Sequence, residues 1–179
     1  DAPHSQWLNA ATTRAMLNLP IDIGPLEDRV FMRMAFGSEN QAGYMYNEEL
    51  DQNWNDRNSL AFLGSLRILP HEDVTIDITG NWDRSHARGE GGDCVFVRPT
   101  GLQGLAPGLA DYCQAERKPY RFSANWPQLF DIQSTGAWGI LNWDVGPLPG
   151  LDDFSVKATG AWRQQYIRSR QDVDLTPAP

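Results

Sequence analysis

The sequence has no long hydrophobic run. No stretch approaches the roughly 20 consecutive apolar residues that a transmembrane helix needs, although 41% of the 179 residues are hydrophobic. This excludes a helical membrane protein. It does not exclude a protein that crosses a membrane with strands, because barrel strands alternate lipid-facing and lumen-facing residues and keep a low average hydropathy.

Basic residues and cysteines are also scarce. Lys and Arg number 15 against 23 Asp and Glu, which leaves a net charge of −8. Since phosphate binding needs a basic surface, a nucleic-acid partner is excluded. The two cysteines, Cys94 and Cys113, flank Gly-, Pro- and Leu-rich sequence without metal-ligand spacing. They favour a loop-closing disulfide and an oxidising compartment, with two buried free thiols as the alternative.

No set of residues indicates catalysis. His4, His71 and His86 stand alone, and the sequence has no nucleophile elbow, phosphate-binding loop or Cys–His pair. The acidic residues within 48–51 offer oxygen ligands for Ca²⁺, but they lack the Gly and terminal Glu of an EF-hand and are better interpreted as a solvated charge run. We therefore expect no enzyme activity, no metal and no cofactor.

Period-two alternation is the dominant pattern, and it predicts six β-strands. The two clearest cover residues 74–83 and 154–163, and each places a Thr-Gly-x-Trp sequence at the same distance from its first apolar residue. Weaker alternation predicts the other four strands at residues 11–19, 30–37, 60–68 and 136–145.

The connections between these strands alternate in length. Short Pro-, Gly- and acid-containing turns are predicted at residues 22–28, 70–73 and 146–153. Long connections are predicted at residues 39–58 and 85–135. Short turns at one end and long loops at the other are typical of an outer-membrane barrel, with the turns periplasmic and the loops extracellular. The whole chain, 1–179, is interpreted as one domain.

Several weak motifs in order carry a family resemblance. They are RAMLNLPI at residues 14–21, DRVFMRMA at 28–35, AGY at 42–44, NDRN at 55–58, GSLRILPHED at 64–73 and WGILNWD at 138–144. In this order and spacing, residues 8–175 resemble the N-terminal third of the barrel of a TonB-dependent outer-membrane receptor.

The resemblance implies an all-β, antiparallel, up-and-down transmembrane β-barrel segment, with about six of about 22 strands. It implies the bacterial outer membrane as location and uptake of a large scarce ligand, with a ferric siderophore as the prior. The implied partners are outer-membrane lipid, the receptor's own plug domain and remaining barrel strands, the TonB complex and the small ligand. No TonB box, plug or aromatic C-terminal strand occurs in the sequence, so we expect an excerpt of a longer receptor.

The predicted site residues fall into three groups. A polar, lumen-facing group comprises Arg14, Arg33, Arg67, Asp77, Lys157 and Arg163; it is expected to pair across strands or to meet a plug. Aromatics of the long loop that would contact a ligand, or instead pack the loop, are Tyr112, Tyr120, Phe122 and Trp126. Membrane-interface aromatics are Trp82, Trp138 and Trp162.

Two other classes of protein remain open. In a secreted all-β carbohydrate-binding module, Trp82, Trp138, Trp143 and Trp162 would stack on sugar rings. In a passive porin or an outer-membrane enzyme we would expect a pore-lining loop signature or a Ser/His/Asp set, and neither is recognisable.

Overall fold

The fold was analysed in a computed structural model that describes residues 9–22, 24, 27–92 and 118–171. The regular elements in these ranges are nine strands. They are β1 (Ala10–Pro20), β2 (Val30–Gln41), β3 (Met45–Asn47), β4 (Gln52–Trp54), β5 (Arg57–His71), β6 (Val74–Ala87), β7 (Arg121–Phe122), β8 (Leu129–Leu148) and β9 (Leu151–Arg170).

Six long strands form one antiparallel sheet in the order β1-β2-β5-β6-β8-β9. Each long strand pairs with the next long strand along the chain, so the connections alternate between the two ends of the sheet. The predicted all-β fold with a six-stranded antiparallel sheet is thereby confirmed. The sheet is open: among the described residues no pairing joins β1 to β9.

The strands are longer than their sequence patterns predicted. β6 ends at Ala87 and β8 begins at Leu129, so the loop predicted over residues 85–135 is too long. β8 ends at Leu148 and β9 begins at Leu151, so the turn predicted over residues 146–153 is too long as well. The β8–β9 turn consists of residues 149 and 150, and Gly150 takes a φ of +89°, a conformation that favours glycine. Cross-strand hydrogen bonds extend these strands into segments where apolar and polar residues no longer alternate.

The two faces of the sheet differ in chemistry. Because residues paired across antiparallel strands project to the same side, the register defines one nearly continuous apolar surface, here called the apolar band. Its rows are Val74, Trp143, Val156; Val30, Ile68, Ile76, Leu141, Ala158; Leu19, Met32, Leu66, Ile78; Leu17, Met34, Ala137, Trp162; and Ala15, Phe36, Phe62, Trp82. Glycines fill most of the remaining places, and the opposite side is here called the polar face.

A second, three-stranded sheet in the order β4-β3-β7 stands at the long-loop end. We call this unit, residues 42–56 with residues 118–128, the cap. β3 and β4 form a hairpin, whereas β7 pairs with β3 in parallel from the other long connection. The two predicted extracellular loops therefore fold together.

The cap contains the buried apolar cluster of the described chain: Trp54, Phe122 and Ala124, all at 0% exposure. The Trp54 and Phe122 rings meet edge-on at 4.8 Å between centroids. A Cβ at Gly91 would lie 2.6 Å from Phe122 Cε1, so only glycine fits beside this ring. The six-stranded sheet has no comparable core: of the described residues of the apolar band, Val30 alone is buried.

In the described part of the chain, no helix is long and apolar enough to cross a membrane.

Candidate functional site: the polar face and the cap

The register places all six residues of the predicted lumen-facing group on the polar face. Period-two alternation was sufficient to group them, because a strand residue's side is set by its parity. Their shared side is a property of the sheet.

Arg67 and Asp77 form the best-defined ion pair on this face. They are register partners on β5 and β6. The guanidinium donates from Nε to Asp77 Oδ1 at 2.7 Å and from Nη2 to Oδ2 at 3.0 Å. This two-point geometry fixes the orientation of both groups, and it matches the partnership expected from the sequence.

Two other arginines of the group are held by neutral partners. Arg33 Nε donates to Asn18 Oδ1 at 2.7 Å. Arg163 Nε donates to Ser134 Oγ at 3.3 Å, and Ser134 is buried. Hydrogen bonds therefore fix these guanidinium groups on the polar face, which also carries the apolar residues Met16, Phe31 and Leu63.

The Arg67–Asp77 pair is expected to contribute little to stability. The Arg67 side chain is 58% exposed, so solvent screens the attraction. A double-mutant cycle with Arg67→Met and Asp77→Asn, read by urea unfolding in detergent micelles, should give a coupling energy below about 1 kcal/mol. A coupling of about 3 kcal/mol or more would instead mean that this face is desolvated.

The predicted interface tryptophans do not lie on one face. Trp82 and Trp162 belong to the apolar band, in neighbouring rows, whereas Trp138 pairs with Thr79 and Ala161 on the polar face. Trp138 therefore projects from the side of the sheet opposite to Trp82 and Trp162. The alternation in β8 is weak because apolar residues occupy both of its faces, and only the pairing with β6 reveals the parity.

An aromatic row closes the apolar band at its long-loop end. Phe36 and Phe62 lie 5.2 Å apart between ring centroids, and Phe62 lies 5.9 Å from Trp82. In the next row, the same side of the sheet becomes mostly polar, with Thr13, Ser38 and Arg84 beside one aliphatic residue, Leu60. The side chains on this side of the sheet thus change along the strands from aliphatic to aromatic to mostly polar.

The loop aromatics divide between the two interpretations left open by the sequence. Phe122 is fully buried against Trp54, so its ring packs the cap and is not available to a ligand. Tyr120 is 66% exposed and Trp126 is 55% exposed, so both can contact a ligand. Tyr112, Cys94 and Cys113 lie outside the described residues.

Asn47, which the sequence did not single out, organises the cap. It is fully buried. Its Nδ2 donates to Ala124 O at 2.9 Å, and its Oδ1 accepts from the backbone N–H groups of Ala124, Glu49 and Leu50 at 3.0 to 3.4 Å. One side chain therefore joins the β3–β4 turn to the segment after β7.

The acidic residues within 48–51 face separate partners. Glu48 Oε1 accepts from Arg121 Nη1 at 2.9 Å. Asp51 accepts from the Tyr46 hydroxyl, and this hydrogen bond, reinforced by burial, holds the pKa of Tyr46 above its ordinary value. Within the described ranges, no three His, Cys, Asp or Glu residues come together as metal ligands.

A polar pocket lies where the cap meets the ends of β1, β2 and β5. Its lining residues are Asn9, Ala10, Ala11, Asn40, Gln41, Ala42, Gly43, Asn53, Asp56, Asn58 and Arg88. Asp56 anchors it, accepting from Arg88 N at 2.6 Å and from Asn58 Nδ2 at 3.0 Å.

Comparison with protein-family models, with curated proteins and with solved structures gave no match to this chain.

Proposed function

We propose that this chain forms part of the wall of a TonB-dependent outer-membrane receptor barrel in a bacterial cell. The receptor would take up a large scarce ligand, with a ferric siderophore as the first candidate. The apolar band would face lipid, the polar face would surround the plug domain, and the cap would stand outside the cell as part of the ligand-capturing surface.

The apolar band is the observation that carries this proposal. It covers six strands and is largely open; Ile78, near its centre, is 48% exposed, and Val30, near its short-turn end, is the one buried member among the described residues. From Val74 to Trp82 it extends eight residues along β6, on the order of 20 Å in height at a strand tilt of about 40°. An outward apolar band about 25 Å tall, ending in aromatics, is the surface that a barrel presents to a bilayer.

The secreted carbohydrate-binding module fits this surface less well. Trp82, Trp143 and Trp162 do share one face and are partly accessible, as sugar stacking would require. Thr135 and Gln164 lie beside Trp82 and Trp162 at the end of the band, but the rest of the band consists mostly of aliphatic residues and glycines. A sugar site needs polar groups beside each ring to meet hydroxyls. A mostly aliphatic surface of this extent suits contact with lipid better than contact with sugar.

The open sheet also supports the proposal. Within the described ranges, the outer edges of β1 and β9 have no strand paired to them, and such edges are closed in a barrel. The remaining strands of the receptor would pair there. On the polar face, the fixed arginines and Asp77 would meet the plug.

The test compares refolding of the urea-solubilised chain in water with refolding in detergent micelles. We expect aggregation in water, because the open edges and the apolar band are unprotected. In micelles we expect a β-type circular dichroism spectrum and blue-shifted tryptophan fluorescence. A monomeric chain that stays soluble in plain buffer and melts cooperatively would contradict the barrel proposal.

A further inference from the structure

We infer that the polar pocket at the base of the cap binds an uncharged, hydroxyl-rich saccharide unit. This deepens the proposed function, on which the pocket's position at the membrane surface rests.

The lining is rich in carboxamides and balanced in charge. Five of its eleven residues are Asn or Gln, and its one carboxylate, Asp56, is matched by one guanidinium, Arg88. A carboxamide offers both donors and an acceptor, as does each hydroxyl of a sugar. The remaining residues are Ala and Gly, which leave room for a ligand beside the polar groups.

An anionic ferric complex fits this lining poorly. Binding an anion favours an excess of positive charge, whereas the charges of Asp56 and Arg88 cancel. Catechol rings would gain from stacking on an aromatic side chain, and the pocket lining contains none. If the cap also captures a siderophore, exposed Tyr120 and Trp126 are the side chains suited to it, and they do not line this pocket.

The polar groups are held in place before a ligand arrives. Asp56 receives the Arg88 backbone N–H on Oδ1 and the Asn58 amide on Oδ2, while Arg88 Nη1 reaches Asn53 O at 3.5 Å. Asn40 Nδ2 donates to Ser38 Oγ at 2.9 Å. Such fixed partners lower the ordering cost of binding and leave the carbonyl oxygens of Asn40 and Asn58 oriented.

The pocket lies just beyond the apolar band. Asn40 and Asn58 are register partners on the same side of the sheet as Phe36 and Phe62, two rows further toward the cap. Two rows are four residues, on the order of 10 Å of height for a tilted strand. In a bilayer this is the level of headgroups and of the surrounding solution, so the saccharide comes either from a glycolipid headgroup or from a free oligosaccharide.

The experiment uses the full chain refolded in micelles and an immobilised panel of neutral oligosaccharides of glucose, galactose, mannose and xylose. We expect binding to at least one panel member, weakened tenfold or more by Asn40→Ala combined with Arg88→Ala. Asn142→Ala removes an exposed carboxamide from β8, away from the pocket, and is the matched control that should bind as the parent does.

Refolding without binding to any panel member would overturn the inference and leave the barrel proposal standing. Equal binding by the pocket variant and the Asn142→Ala control would also overturn it. The bound sugar is then compared free and as a lipid headgroup in phosphatidylcholine vesicles. Tighter binding of the lipid-linked form identifies a headgroup site, and equal binding identifies a site for soluble saccharide.

Discussion

Replacing Ile78 by arginine should weaken transfer of the chain into phosphatidylcholine vesicles by about 2–4 kcal/mol. Ile78 lies in a central row of the apolar band, between Leu66 on β5 and Gly139 on β8. A guanidinium there would enter hydrocarbon near the middle of the proposed bilayer, where it has no water and no partner. Tryptophan fluorescence during titration of urea-solubilised chain with vesicles measures the change.

Thr159→Arg is the matched control for this substitution. Thr159 is exposed on the polar face, in a row adjacent in height to Ile78. An arginine at this position should change the free energy of transfer into vesicles by less than about 1 kcal/mol, because the side chain faces the lumen in the proposed barrel. Equal effects of the two substitutions would show that the faces are not distinguished by lipid and would contradict the proposal.

Replacing Asn47 by alanine should open the cap while leaving the six-stranded sheet folded. The change removes four hydrogen bonds, two of them to the buried C=O and N–H groups of Ala124 and two to the part-buried N–H groups of Glu49 and Leu50. Each unsatisfied buried group costs about 1–3 kcal/mol, so we expect a loss of at least about 3 kcal/mol in local stability. Amide hydrogen exchange should rise at least a hundredfold at Ala124 and Leu50.

Amides in the centre of β5 and β6 report whether the effect stays local, and their exchange should be unchanged. Asn142→Ala, which removes an exposed carboxamide, is the control and should leave exchange in the cap as it is in the parent. Unchanged protection of Ala124 in Asn47→Ala would show that the cap does not depend on this side chain.

The long strands were the part of the structure that the sequence predicted best. In β6, Ile76 and Ile78 alternate with Asp77 and Thr79, and such alternation determines both the strand and the side of each residue. The six polar residues grouped from the sequence share one face for the same reason. Strand ends were predicted less well, because pairing with a neighbour extends a strand beyond its own pattern.

The contacts within the cap could not be predicted from period-two alternation. Trp54 and Phe122 lie in different long connections, and no local pattern links them. Their contact depends on the parallel pairing of β3 with β7, which requires both loops to meet above the sheet. Asn47 lies in a polar loop, and the residues around it did not indicate that its side chain is buried. Its hydrogen-bond partner Ala124 is distant in sequence.

The sequence by itself determined the six long strands, their antiparallel order and the two sides of the sheet, because period-two alternation and short turns are local properties. Only the tertiary structure decided the side on which Trp138 projects, the burial of Phe122 and the polar pocket beside Asp56. Each depends on residues from separate strands or loops meeting in register, and that register is set by hydrogen bonds between segments far apart in the chain.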